Sequence, residues 1–406
     1  MAATADITLG YMPLFDSAVL IAAVEKGFAG DEGLSVQLVR ETSWANIRDR
    51  IAVGHFQAAH MLAPMPIASN LGLTPLSLEL VAPFALGLGG NAVTVSRALW
   101  GRMFAEGAGP GTDPSANGTA LGHVVENRRA AGEPPLRFAV VHPFSGHNYE
   151  LRYWLAACGV DPETDVEIVM VPPPLMADAL ATGAIDGFCA GEPWNSVAIA
   201  DGAGRIVTTK ASIWRLSPEK VLGVSARFAA ENRPALDALL RALYRSSIWC
   251  GDSANHEELA ALMSGSEHLG LPRERLMPIL TGHLALGDGT TDAIPEFFVP
   301  HAKGATFPWQ SHALWFYSQM VRWGHAKHSP TKAERARDTY RPDIYRQALK
   351  PISAPMPGAN MKVEGALTAA APVGASEKGL VLGPDGFFDG RIFDPDRLDA
   401  YLASQS

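Results

Sequence analysis

Apolar positions in the first half of the chain form short continuous runs, separated by longer stretches in which they recur at helical spacing. Residues 7–11 predict a strand that Pro13 breaks, and residues 16–26 predict a helix stopped by Gly27. Residues 36–39 predict the next strand, and 44–53 a helix with Ser43 placed to cap it. A strand at 56–61 then runs into a helix opened by Pro64. Strands at 77–81, 92–96, 138–141, 166–171 and 206–208 continue the series, with helices at 120–130, 149–157 and 175–181 among them. This alternation predicts a parallel sheet covered on both sides. Glycine-rich residues 85–91 and the segment 214–222 interrupt it as candidate crossovers between domains. From Ser225 onward the pattern is helical, at 234–249, 256–263, 272–280, 309–324 and 342–349. Beyond Pro351 the chain turns rich in Pro, Gly and Ala, although 380–401 holds enough Phe and Leu to dock on the rest.

One unit occurs twice. Residues 183–194 and 54–65 both carry a Gly, then an apolar or aromatic residue, a polar residue, a small residue and a Pro at matching offsets. Such a repeat predicts two similar lobes. In an open α/β sheet, ligands sit outside the carboxyl ends of the strands, so the cleft between the lobes is the expected site. Trp44, His60, Asn91, Ser145, His147, Gly191, Glu192, Trp194 and Lys220 are the groups placed to face it. Most of them are hydrogen-bond donors, and helix N-termini near Ser145 and Gly191 favour negative charge, so the set suits a small anion. Taken singly, each has a structural alternative: His147 as a packed histidine, Trp44 and Trp194 as core, Lys220 as a solvated lysine and Asn91 as a turn residue.

Composition narrows the class. The 406 residues are 47% hydrophobic and 18% charged, which fits a globular protein of two ordinary domains. No apolar run is long enough to span a membrane. A net charge of −9 argues against a general nucleic-acid surface, which needs clustered Lys and Arg. Cys158, Cys189 and Cys250 are odd in number and sit in apolar contexts, which predicts thiols in a reducing compartment. The first strand begins at once, with no basic flank and no secretory apolar core before it, so the expected location is the cytoplasm. Enzyme signatures are weak. Ser217 and Lys220 form Ser-x-x-Lys without the motifs that accompany a nucleophile of that type. Residues 87–92 fit a relaxed dinucleotide pattern but lead into a strand where a helix is required. His325 and His328 lack acidic or Cys neighbours, so no metal, no cofactor and no enzyme are expected.

Six ordered segments resemble a known family: Trp-Ala-Asn-Ile-Arg-Asp-Arg at 44–50, Ala-His-Met-Leu-Ala-Pro-Met-Pro at 59–66, Arg-Tyr-Trp-Leu-Ala at 152–156, Val-Pro-Pro-Pro at 171–174, Phe-Cys-Ala-Gly-Glu-Pro-Trp-Asn at 188–195 and Pro-Glu-Lys-Val-Leu-Gly at 218–223. They are similar to the nitrate and bicarbonate binding proteins of ABC transporters, over roughly residues 5–350. The resemblance implies an α/β, two-lobed periplasmic-binding-protein-like fold of type II, with two crossovers at a hinge. Lobe 1 would take residues 1–90 and 216–350, lobe 2 residues 91–215, and a C-terminal extension residues 351–406. It also implies an anion held by Trp44, Asn91, His147, the backbone of Gly191 and Lys220. The direct start and Asn91, where the transport proteins lead one to expect Gln, look like the cytoplasmic branch, the NasS-type nitrate and nitrite sensor. Proteins of that branch hold a NasT-type RNA-binding antiterminator until the anion releases it. The expected ligand is nitrate or nitrite. Bicarbonate needs an additional acceptor, for which Glu192 is the candidate. The alternatives are a substrate-binding component of a transporter and an enzyme on the same fold.

Overall fold

The structure is a computed structural model that describes residues 5–76, 78–374 and 379–405. Ser77, where the sequence places the start of a strand, lies outside them. In chain order the strands that build the site are β1 (Ala5–Tyr11), β2 (Leu34–Arg40), β3 (Ala58–Leu62), β4 (Leu80–Ala85), β5 (Leu88–Gly89), β6 (Asn91–Ser96), β7 (Leu136–Val140), β8 (Val166–Met170), β9 (Gly187–Gly191), β10 (Gly204–Thr209) and β11 (Lys220–Ser225). They form two five-stranded sheets, ordered β2-β1-β3-β11-β4 and β10-β6-β9-β7-β8. Each sheet has its own α/β lobe, covered by helices.

The sheets are mixed, which corrects the expectation of purely parallel pairing. β1 runs parallel to β2 and β3, whereas β11 lies antiparallel to both β3 and β4. In the second sheet β7 runs parallel to β8 and β9, and β6 lies antiparallel to β9 and β10. Each sheet therefore has a single reversed strand, and it is the one that follows a crossover. The reason is geometric. The chain leaves β4 and β10 at their carboxyl ends, crosses there, and enters the other sheet at the same end, so the incoming strand must run backwards. Asn91 and Lys220 are consequently the first residues of β6 and β11, at the hinge and at the carboxyl ends of the other strands.

Local chemistry explains the remaining boundaries. β4 begins at Leu80, where a run of buried residues starts, and its Pro83 is tolerated because β4 is an edge strand. The helix expected at 149–157 opens earlier, as Gly146–Ala157, because the side chain of Ser145 accepts from the N–H of Asn148 and caps it. β3 and β9, the strands of the repeated unit, are buried throughout, and each leads into a short helix, Pro64–Asn70 and Trp194–Ala200. The C-terminal residues dock on the rest. Phe387 stacks on Trp214 with centroids 4.5 Å apart, and Lys362 is held among Glu364 and Asp385.

Candidate functional site

Five strand or helix ends meet where the two crossovers pass. Trp44 opens the helix Trp44–Ala52, whose cap Ser43 accepts from the N–H of Asn46 at 3.2 Å. His147 lies in the first turn of the helix Gly146–Ala157. Asn91 is paired with Gly191 across the β6–β9 ladder, so the amide and the glycine backbone are held side by side. A Cβ on Gly191 would stand 3.2 Å from Asn91 Oδ1 and 3.6 Å from His147 Nε2, so the absence of a side chain there keeps the space between them open. His147 Nε2 is 3.4 Å from Glu219 Oε1, which accepts from Lys220 Nζ at 2.6 Å. Lys220 Nζ stands 5.6 Å from the centroid of the Trp44 ring. One continuous buried constellation thus contains Trp44, Asn91, His147, Gly191 and Lys220.

The other groups placed in the cleft by the sequence have structural duties. Ser145 is a helix cap. Glu192, the carboxylate considered as an acceptor for bicarbonate, accepts from the N–H of Ser196 on Oε2 at 3.1 Å, while its Oε1 is buried with no hydrogen-bond partner among the described residues. Trp194 packs against the core at intermediate exposure. His60 receives the N–H of Met12 on Nδ1, which leaves Nε2 to carry the proton toward Asp16 Oδ1 at 3.1 Å.

Four residues that sequence reasoning passed over complete the electrostatics. Lys220 Nζ is 2.7 Å from Asp16 Oδ2 as well as donating to Glu219. Lys210 Nζ is 2.5 Å from Glu219 Oε2 and 2.5 Å from Glu150 Oε1, and donates to the carbonyl of Pro218 at 2.7 Å. Burial alone would raise the pKa of Glu219, but the ammoniums of Lys210 and Lys220 hold it well below the carboxylate range. Asp16 is likewise held down against burial by Lys220 and His60. Burial would lower Lys220, and its two carboxylates overcome that and raise it. His147 is pushed down to about 3, chiefly by burial with the lysines adding to it, so its ring is neutral. Lys210 and Lys220 are therefore balanced by Asp16 and Glu219. A faint signal for this network existed in the sequence: Glu150 lies three residues after His147, which puts both on one helix face.

Against this charge balance stand polar atoms that are left unpaired. Trp44 Nε1, both amide atoms of Asn91 and both ring nitrogens of His147 are buried with no hydrogen-bond partner among the described residues. Buried polar atoms are ordinarily satisfied, so this set is a candidate site for a small group with several acceptors. Trp44 also lines a groove of about 470 Å³ at the cleft mouth, together with Arg48, His142 and Phe144.

A model of the NMT1-like family matches residues 2–264. The chain belongs to the NMT1-like family. It is similar to the nitrate/nitrite binding protein NrtA of Synechococcus elongatus, 32% identical over 410 residues, covering 98% of this chain and 85% of that one. It is 29% identical over 413 residues to the bicarbonate-binding protein CmpA of the same species, covering 98% and 86%. The crystal structure of the periplasmic nitrate-binding protein NrtA from Synechocystis superposes with a TM-score of 0.86 at 27% identity, covering 99% of each chain. The architecture is the two-lobed periplasmic-binding-protein-like fold, and these relatives of the NMT1-like chain are binding proteins, not enzymes.

Proposed function

We propose that the protein binds nitrate or nitrite between its two lobes, as the substrate-binding component of an ABC-type import system. The observation that carries this reading is the set of buried donors without protein partners on Trp44, Asn91 and His147, gathered beside Gly191 and Lys220. Nitrate is planar, carries one charge and offers three acceptor oxygens. The indole N–H, the amide NH2, an imidazole N–H and the Gly191 backbone meet those oxygens without adding positive charge. An ammonium has three N–H groups; Lys220 directs two at Asp16 and Glu219, and the third supplies the charge-assisted bond.

Names of relatives divide between nitrate or nitrite and bicarbonate. Bicarbonate must also donate its O–H. The nearby carboxylates of Asp16 and Glu219 are engaged by lysines, which leaves Glu192 Oε1, the carbonyl of Asn91 and the unprotonated nitrogen of His147 as acceptors for that O–H. Nitrate and nitrite need no such acceptor and use the donors as they stand. Calorimetric titration with nitrate, nitrite and bicarbonate tests the reading, with Trp44→Phe as the control that keeps the ring and removes one N–H. Saturable binding of nitrate or nitrite is expected, weakened about tenfold in W44F by the loss of one hydrogen bond to a charged ligand. No saturable heat with any of the three at millimolar concentration sinks the reading.

A cytoplasmic sensor that holds a NasT-type antiterminator and releases it on anion binding is the second reading. Asn91 in place of Gln supports it, as do three free thiols at Cys158, Cys189 and Cys250.

A further inference from the structure

Behind the anion constellation lies a further ionisable group that the binding reading does not use. Glu150 is 1% exposed, one helical turn beyond His147, with Oε1 against Lys210 and Oε2 without a hydrogen-bond partner among the described residues. The groups facing it come from three other elements: Lys210 from the helix Lys210–Ile213, Glu219 and Lys220 from the second crossover and the start of β11, and the Cys189 thiol from β9. Two lysines and two carboxylates in this cluster cancel, His147 is neutral, and burial keeps the Cys189 thiol protonated. Glu150 therefore decides the net charge of the buried cluster: protonated it leaves zero, ionised it leaves one negative charge.

An incoming oxyanion adds a negative charge to the same dry volume. With a like charge already buried beside it, the interaction is unfavourable and little screened. We propose, on the basis of the anion-binding reading, that the anion enters the constellation together with a proton and that Glu150, held against Lys210, is the residue that carries it. The proton comes from solvent and rests on a carboxylate oxygen of Glu150, so the anion replaces one negative charge with another and the cluster never holds both.

The sign follows by linkage. Burial raises the Glu150 carboxyl to about 8, with Lys210 opposing, and a bound anion raises it further. Below the free value Glu150 is already protonated, so affinity is flat. Above it, and until the bound value is reached, affinity falls with rising pH by up to about tenfold per unit as each anion must bring a proton.

Nitrate titrations of the whole protein at about pH 6.5 and about pH 9, each in two buffers of different ionisation enthalpy, read the proton directly. The expected result is negligible uptake at the lower pH and close to one proton per anion at the higher, with Glu150→Gln abolishing the uptake and flattening the pH dependence. In the unmodified protein, infrared difference spectra at the higher pH gain a protonated-carboxyl C=O band on adding nitrate, a readout that needs no variant. Heats independent of buffer at the higher pH, or uptake retained in E150Q, overturn the proposal. Absence of nitrate and nitrite binding at both pH values overturns the anion-binding reading with it.

Discussion

Gly191 shows how one residue type can serve ligand space instead of backbone geometry. Its φ is not among the positive ones, unlike that of Gly89, where φ is 75° and an added Cβ would meet the carbonyl of Phe297 at 2.2 Å. Alanine at 191 is therefore acceptable to the backbone, and its methyl would stand 3.5 Å from Leu14 Cδ2, between Asn91 and His147. Gly191→Ala is expected to change unfolding free energy by less than about 1.5 kcal/mol while weakening nitrate binding at least tenfold, about 1.4 kcal/mol or more. Urea unfolding and calorimetry separate the two effects, and unchanged affinity would remove Gly191 from the pocket wall. Trp44, Asn91, His147, Gly191 and Lys220 were legible as a group because they sit at strand and helix ends within recognisable segments. Asp16, Lys210, Glu219 and Glu150 were not, since isolated charges in helices and loops read as solvent-facing until the fold buries them against each other.

Strand and helix existence was largely readable from apolar periodicity, because strands such as β3, β4, β9 and β10 are continuous buried runs. Strand direction was not, because the reversal of β6 and β11 depends on where the chain crosses between lobes, a property no local window contains. The C-terminal segment was legible only as something able to dock. Its docking place is the second crossover: the N–H of Arg215 donates to the carbonyl of Gly386, and the N–H of Phe388 to that of Ile213. Between these bonds Phe387 fills a pocket formed by Trp214, Trp315 and Tyr153, at 4.5, 6.1 and 5.5 Å between centroids. Phe387→Ala leaves a cavity among large rings that cannot collapse around it, and a loss of about 3–5 kcal/mol is expected. A denaturant midpoint shifted by less than the equivalent of about 1 kcal/mol would mean that the extension unfolds separately from the lobe it covers.

For the whole molecule, the site is made only when the lobes meet. Trp44 and Asp16 come from the first sheet's side and His147, Glu150 and Gly191 from the second, while the N–H of Phe15 donates to the carbonyl of Glu192 across the gap at 2.8 Å. Closure without an acceptor for the buried donors costs about 1–3 kcal/mol per unsatisfied group, so an oxyanion that satisfies them favours the closed arrangement by its differential contacts. Anything that binds the open arrangement better must then compete with the anion, and the competition is reciprocal. The two proposed roles separate here. As a sensor, the protein binds a NasT-type antiterminator more weakly when nitrate is saturating, and the antiterminator weakens nitrate binding by the same factor, roughly 5- to 150-fold for about 1–3 kcal/mol of coupling. Measuring the nitrate Kd with and without that protein, and the partner's Kd with and without nitrate, checks both arms of the cycle. Equal shifts in both arms support the sensor. A nitrate Kd untouched by a saturating antiterminator removes that role and leaves transport, in which lobe closure is read by a membrane component instead.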